Sequence, residues 1–182
     1  DDLVEGYLHG ELKEKVLARI STNYAGEDGL NELLYKMKEV IADSEIVQEK
    51  NLMNSFFENL KKGNGKSTYG LLEVIHALEM GAVEKILVSE TLNYLRVKYK
   101  CGNCGHIIID YIKGDEQEIP KTKRCSKCGG ESIVVEEESL IEFLEEKSKE
   151  TNAEFYIIST ETQEGKQLEK MGGIAAILRY KI

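Results

Sequence analysis

The sequence is nearly free of proline. Pro120 is the only one among 182 residues, which excludes a proline-rich linker or stalk. No apolar run approaches the ~20 residues that a membrane-spanning helix needs, so no membrane role is expected. There is no internal repeat and no low-complexity tract. The start, Asp1-Asp2-Leu3-Val4, offers neither an initiator Met nor the apolar core of a secretion leader. A cytoplasmic, reducing setting is therefore expected. Basic residues are in the minority: 24 against 33 acidic, a net charge of −9. That balance argues against a protein that coats phosphates along its whole surface. Cysteine is absent everywhere except in one short stretch.

That stretch holds Cys101, Cys104, Cys125 and Cys128, two C-x-x-C pairs. The spacing matches the rule for a four-thiolate zinc site. Each pair offers two sulfurs from one tight turn, and Gly102, Gly105, Gly129 and Gly130 let the backbone turn there. Four protein ligands close a structural zinc site, whereas a catalytic zinc keeps one position open. Between the pairs, Ile107-Ile108-Ile109 and the turn Lys113-Gly114-Asp115-Glu116 read as a hairpin. The expectation is a zinc ribbon, spanning about 97–135, clipped by one structural ion. The alternatives are two disulfides, a redox dithiol, or His106 replacing one thiol. Lys121, Lys123, Arg124 and Lys127 make the second knuckle locally basic. They are candidate RNA contacts, against the plainer reading of a solvated turn.

Around this insertion, helices and strands alternate. His9 to Ile20 reads as a short helix running into a strand, with Val16, Leu17 and Ile20 as candidate buried residues. Leu30, Leu33, Leu34, Met37, Val40 and Ile41 recur at helical spacing. Asp43 or Ser44 is expected to cap a separate helix presenting Leu52, Met53, Phe56, Phe57 and Leu60. Further helices are predicted over Gly70 to Met80, Ser139 to Lys149 and Thr160 to Met171, the last two opened by capping boxes. Strands are predicted at Ile86–Val88, Tyr94–Lys100, Ile133–Val135, Phe155–Ile158 and Ile174–Tyr180. The pattern implies an α/β fold, a sheet with helices on its faces. No Ser-His-Asp or Cys-His set is suggestively spaced. Gly63-Asn64-Gly65-Lys66-Ser67 lacks the first glycine of a phosphate loop and follows a helix.

Several segments are distinctive together: Gln48-Glu49-Lys50-Asn51-Leu52-Met53, Tyr69-Gly70, Ala77 to Val83, Gln163-Glu164-Gly165 and Gly172 to Tyr180. This ordered set resembles the C-terminal part of the archaeal and eukaryotic class-1 peptide chain release factors. The zinc knuckles resemble the archaeal branch. The rescue factor Pelota shares the Ala-Ala-Ile-Leu-Arg pattern but is not expected to carry the ribbon. The resemblance implies a tail of the family's middle domain over residues 1–42 and its C-terminal domain over 43–182. It implies an αβα sandwich similar to the kink-turn-binding ribosomal-protein fold. It also implies a translational GTPase of the elongation factor one alpha type as partner, on the ribosome and its RNA, with the recycling ATPase approaching the same domain.

The family's stop-codon-reading motifs and its Gly-Gly-Gln tripeptide do not occur here, so no catalytic residue is expected. The Asn-Glu pair of kink-turn binders is missing too, because that region reads Lys66-Ser67-Thr68-Tyr69-Gly70. By the resemblance, Met171 and the helix start near Tyr69 dock the GTPase, with Met171 as a core cap the alternative. Gly172 and Gly173 join that surface or serve a positive-φ turn. Arg179 on an apolar strand forms an ion pair or reaches a partner. The competing functions are a stand-alone zinc-ribbon RNA binder and a Pelota-like rescue factor.

Overall fold

The structure, a computed structural model, describes Tyr7, His9, Val16 and residues 18–114 and 119–182. It divides into two compact units, Asp1–Leu52 and Met53–Ile182. The reading of His9 to Ile20 falls partly outside the described residues, including Leu17. His9, Val16 and 18–20 are neither helix nor strand, and Val16 is exposed rather than buried.

Where two helices were expected, the chain forms one, α1 (Glu27–Lys62). No break occurs at Asp43-Ser44. Neither residue forbids a helix interior, and no glycine or proline stands between Leu30 and Lys62 to stop propagation. Glu27 and Asp28 suit the positive helix end, Lys61 and Lys62 the negative one. In the first unit Leu30, Leu34 and Met37 are exposed, since no sheet lies among its described residues. In the second unit Met53 and Phe56 are fully buried.

The second unit is mixed α/β with two sheets. The order is β1 (Ser67–Tyr69), α2 (Leu71–Glu79), β2 (Val83–Ser89), β3 (Tyr94–Cys101), β4 (Ile107–Lys113), β5 (Thr122–Arg124) and β6 (Glu131–Ser139). Then follow α3 (Leu140–Glu150), β7 (Glu154–Ile158), α4 (Gln163–Lys170) and β8 (Ile174–Leu178). The first sheet runs β1-β8-β2-β7, with only the β2–β7 pair parallel. The second runs β4-β3-β6-β5 and is antiparallel throughout.

The core follows the period of two along each strand. Val83, Ile86 and Val88 of β2 join Ile174, Ala176 and Leu178 of β8 on one face. Val74, Ile75, Ala77 and Leu78 of α2 and Leu140, Phe143 and Leu144 of α3 cover them. The buried stripe of α2 thus includes Val74, while Leu72 is exposed. Leu87 and Ala175 point to the opposite face, where α4 packs on β2 and β8 through buried Leu168. Each fully buried aliphatic side chain contributes roughly 1.5–3 kcal/mol.

Helix ends differ from expectation in instructive ways. Ser139 is still the last residue of β6, paired with Leu95, and its side chain makes no cap bond. The cap of α4 is Thr162, whose hydroxyl accepts from the Gly165 N–H at 3.0 Å. Thr160 is drawn away, because its hydroxyl and its N–H both donate to Glu90. The strand before Arg179 ends at Leu178, and Arg179 pairs with no carboxylate among the described residues. Its guanidinium donates to the carbonyls of Gly81, Thr151 and Asn152. These carbonyls lie just past the ends of α2 and α3, where a cation suits the helix dipole.

Candidate metal centre and docking hollow

The cysteines sit at the tips of two hairpins. The first knuckle joins β3 to β4, and the second joins β5 to β6. This corrects the expected hairpin between the knuckles: β4 pairs with β3, not with β5, and residues 115–118 of its turn lie outside the described residues. The tips are tied to each other and closed internally. Gly102 N–H donates to Glu131 O across the two hairpins. Within each tip, Cys101 N–H donates to His106 O and Cys125 N–H to Gly130 O. Gly105 and Gly129, at φ of 68° and 72°, supply the left-handed turns.

The four Sγ atoms lie within 4.8 Å of one another. Cys101 and Cys128 approach to 3.5 Å, Cys104 and Cys125 to 3.7 Å. These are not disulfides, whose sulfurs stand about 2.05 Å apart. They match the edge of a tetrahedron with metal–sulfur bonds of about 2.3 Å, roughly 3.8 Å. The donor set therefore fits a metal ion. His106 is not in the cluster.

The thiols are electrostatically unequal. Backbone N–H groups of Cys104 and Asn103 point at Cys101 and lower its pKa to about 6. For Cys125, burial opposes ionisation, yet the N–H groups of Cys128 and Lys127 and the neighbouring Cys104 bring it below the usual thiol value. The Gly130 N–H favours the Cys128 thiolate, but the crowding of Cys104 and Cys101 pushes it up to about 12. Four thiolates in so small a space repel, and a divalent cation relieves that repulsion.

Beside the second knuckle, Thr122, Lys123, Arg124, Gly129, Gly130 and Glu131 line a hollow of about 280 Å³. Two of the four basic residues singled out are engaged within the chain. Lys123 pairs with Asp110 and lies over the Tyr99 ring. Arg124 donates to Gly129 O at 3.3 Å. Lys121 and Lys127 are exposed.

Tyr69 and Met171, 102 positions apart in the numbering, meet in a second hollow. Ser67, Thr68, Tyr69, Gly70, Glu73 and Met171 line about 450 Å³. Strand β1 pairs with β8, Tyr69 opposite Ala175, and Gly70 N–H donates to Ile174 O at 3.2 Å. Tyr69 is 45% exposed and Met171 is half-buried at the C-cap of α4. The two glycines after it close that helix. Gly172 N–H donates to Glu169 O and Gly173 N–H to Leu168 O, the paired bonds of a Schellman turn. Gly172 is exposed with open space around it. Gly173 is buried, with Leu92 Cδ1 at 3.1 Å from where a Cβ would stand.

Two residues carry weight that sequence reading missed. Arg96 is 8% exposed on β3, pairs with Glu138 and lies 4.2 Å over the Phe143 ring. The register signal was present: Arg96 and Lys98 stand opposite Glu138 and Glu136. Glu90 receives hydrogen bonds from Ser159 and Thr160, and those bonds, the Thr160 hydroxyl first, hold its carboxyl below the usual value. No local motif marks that residue.

Comparison with known proteins places the chain. The family model described as eRF1 domain 3 matches residues 46–182. Peptide chain release factor subunit 1 of Pyrococcus abyssi is 41% identical over the whole chain, and that of Thermococcus kodakarensis 42%. The chain spans 45% of the length of each. The solved C-terminal domain of the peptide chain release factor from Methanosarcina mazei aligns over 86% of this chain and 97% of its own. Its TM-score is 0.77 at 35% identity. Archaeal Pelota, in a model of ribosome-bound Pelota and ABCE1, shares the fold at a TM-score of 0.57 and 24% identity, over 94% of this chain and 39% of its own. With its mixed α/β core and these relatives, the chain belongs to the eRF1 domain 3 family, the C-terminal domain of peptide chain release factors.

Proposed function

We propose that the chain is the C-terminal portion of an archaeal translation termination factor that directs release of the nascent peptide at stop codons. In this reading residues 1–42 are the tail of the hydrolysis-triggering middle domain, and 43–182 form the GTPase-binding domain. The latter is an αβα sandwich akin to the kink-turn-binding ribosomal proteins. The piece acts as a cytoplasmic binding module rather than as a catalyst. Its role is to bring a translational GTPase of the elongation factor one alpha type to the ribosome. The recycling ATPase approaches the same domain afterwards, as ABCE1 accompanies the ribosome-bound Pelota of the fold neighbour.

The observation that carries this reading is the hollow shared by Tyr69 and Met171. It joins two segments distant in sequence into one partly apolar surface, and the exposed Gly172 follows Met171 in the chain. A flexible thioether beside an exposed aromatic ring suits an adaptable protein contact. Met171→Asp is expected to weaken GTPase binding at least tenfold, measured by calorimetry, while the circular dichroism spectrum and melting temperature stay near those of the parent. Unfolding of that variant would instead make Met171 a core residue. Tight kink-turn RNA binding with no affinity for the GTPase would favour the stand-alone RNA-binding alternative.

Cys101, Cys104, Cys125 and Cys128 would hold one structural zinc ion, making sheet β4-β3-β6-β5 a zinc ribbon. The tetrahedral sulfur spacing and the thiolate-favouring N–H groups support this. Lys121 and Lys127, with Lys123 and Arg124 behind them, are the proposed contacts to ribosomal RNA.

A further inference from the structure

The outer strand of the antiparallel sheet is built as free edges rarely are. Strand β4 reads Ile107-Ile108-Ile109-Asp110-Tyr111-Ile112-Lys113 and pairs with β3 along one side. It is the last strand of its sheet, so among the described residues its other edge offers unpaired backbone N–H and C=O groups. Soluble proteins blunt such an edge with proline, a bulge or a row of charges, because an apolar β-branched edge recruits further strands. Strand β4 has no proline, its pairing shows no register shift, and four of its seven residues are isoleucine.

The sheet face beside this edge is apolar as well. The register sets Ile107, Lys100 and Ile133 in one row across β4, β3 and β6. Ile109 and Lys98 stand in the next row. Ile107, Ile109, Ile133 and Val135 are 54%, 42%, 55% and 52% exposed. Lys98 is answered within the chain by Glu136 at 2.7 Å. Lys100, between two isoleucines, is exposed and has no ion-pair partner among the described residues. A chain of net charge −9 thus presents an apolar patch whose open charge is positive.

We propose that the β4 edge docks an extended segment of a partner protein in which apolar residues alternate with carboxylates, added as a further strand beside Ile107 to Lys113. The strand edge would supply the hydrogen bonds, and side-chain alternation the selectivity. On one face the added strand extends the row of Ile107 and Ile109. Strands lie about 4.8 Å apart, so a glutamate on that face stands roughly 10 Å from the Lys100 backbone, within the combined reach of the two side chains. RNA is the poorer occupant, because these aliphatic side chains offer no ring on which a base can stack. The site is separate from the Tyr69–Met171 hollow and does not rest on the termination reading.

The test uses the metal-loaded chain, isotope-labelled for NMR, and a synthetic peptide alternating valine and glutamate. Its controls are a valine–lysine peptide and oligouridylate. The valine–glutamate peptide is expected to slow hydrogen exchange at alternate β4 amides and to shift the Ile107 and Ile109 methyl signals. Lys100→Glu, a change at an exposed site, should weaken it about fivefold, as for one solvent-exposed ion pair, and favour the valine–lysine peptide instead. Ile107→Asp, which sets a carboxylate on the face that the glutamates share, should weaken the valine–glutamate peptide and, like Lys100→Glu, spare the valine–lysine one. The proposal is overturned if the valine–glutamate peptide leaves β4 amides unprotected at millimolar concentration. It is equally overturned if oligouridylate protects them as well, or if the chain alone does so by pairing with itself.

Discussion

Glu90 stands just past the end of β2 and fastens the loop that leads from β7 into α4. One of its carboxylate oxygens accepts from Ser159 Oγ at 3.3 Å, Thr160 N–H at 2.6 Å and Thr160 Oγ1 at 2.7 Å. All three favour the ionised form, so the folded pKa lies below the usual 4.5. A lowered folded pKa means stability that is present above the unfolded value and lost as pH falls through the folded one. Urea midpoints of the parent and of Glu90→Gln should therefore differ at neutral pH and converge below about pH 4. A constant difference down to acid pH would show that the carboxylate's charge is not what fastens the loop. Gly173 illustrates the same scale from the backbone side. At φ 73°, with Leu92 close by, it is held to glycine by conformation and space together.

Among elements, the two hairpins depend on each other most. Strands β5 and β6 enclose the second knuckle, and β5 is only three residues long. So short a strand gains little from its own pairing, and a metal clip joining both tips would supply what it lacks. Protein purified without chelator is expected to carry one zinc per chain. Less than half an equivalent would count strongly against the site. Chelation, or Cys125→Ser, should abolish amide protection in β3 to β6 and leave β2 and β8, buried in the other sheet, protected. The elements were legible to different degrees. Strands β2 and β8 announced themselves as apolar runs, and α2 stops two residues before Gly81, whose φ of 68° turns the chain. The single helix α1 was misread as two, because Asp and Ser are good caps but are also tolerated inside a helix. Thr160 was misread as a cap because its distant partner, Glu90, lies 70 positions away. The four-cysteine cluster was legible because two C-x-x-C pairs, each on one tight turn, can bring four sulfurs together, and they lie within 4.8 Å of one another. The Tyr69–Met171 hollow came only from the family resemblance, since no local pattern brings those residues together.

For the whole molecule, charge limits what RNA can do. The chain is net acidic, and of the basic residues at the second knuckle, Lys123 and Arg124 are partly spent on Asp110 and Gly129. Each phosphate contact adds about 0.7–0.9 to the steepness of a log–log salt plot. Ribosomal RNA fragments should therefore bind with a slope of about −1 to −4, and Lys121→Ala with Lys127→Ala should flatten it. A slope steeper than about −5 would spread the RNA over a wider surface than this turn.

The antiparallel sheet also enters and leaves the fold at nearly one point. Leu95, near the start of β3, is the register partner of Ser139, the last residue of β6. The chain departs after β2 and returns to α3 through adjacent strands, with Arg96, Glu138 and Phe143 gathered at that neck. The sheet is thus a cassette with neighbouring ends. A tight turn joining the ends would span the same gap without moving β2 or α3. The lineage could enlarge, trim or replace this appendage while the core that carries the Tyr69–Met171 hollow stays unchanged.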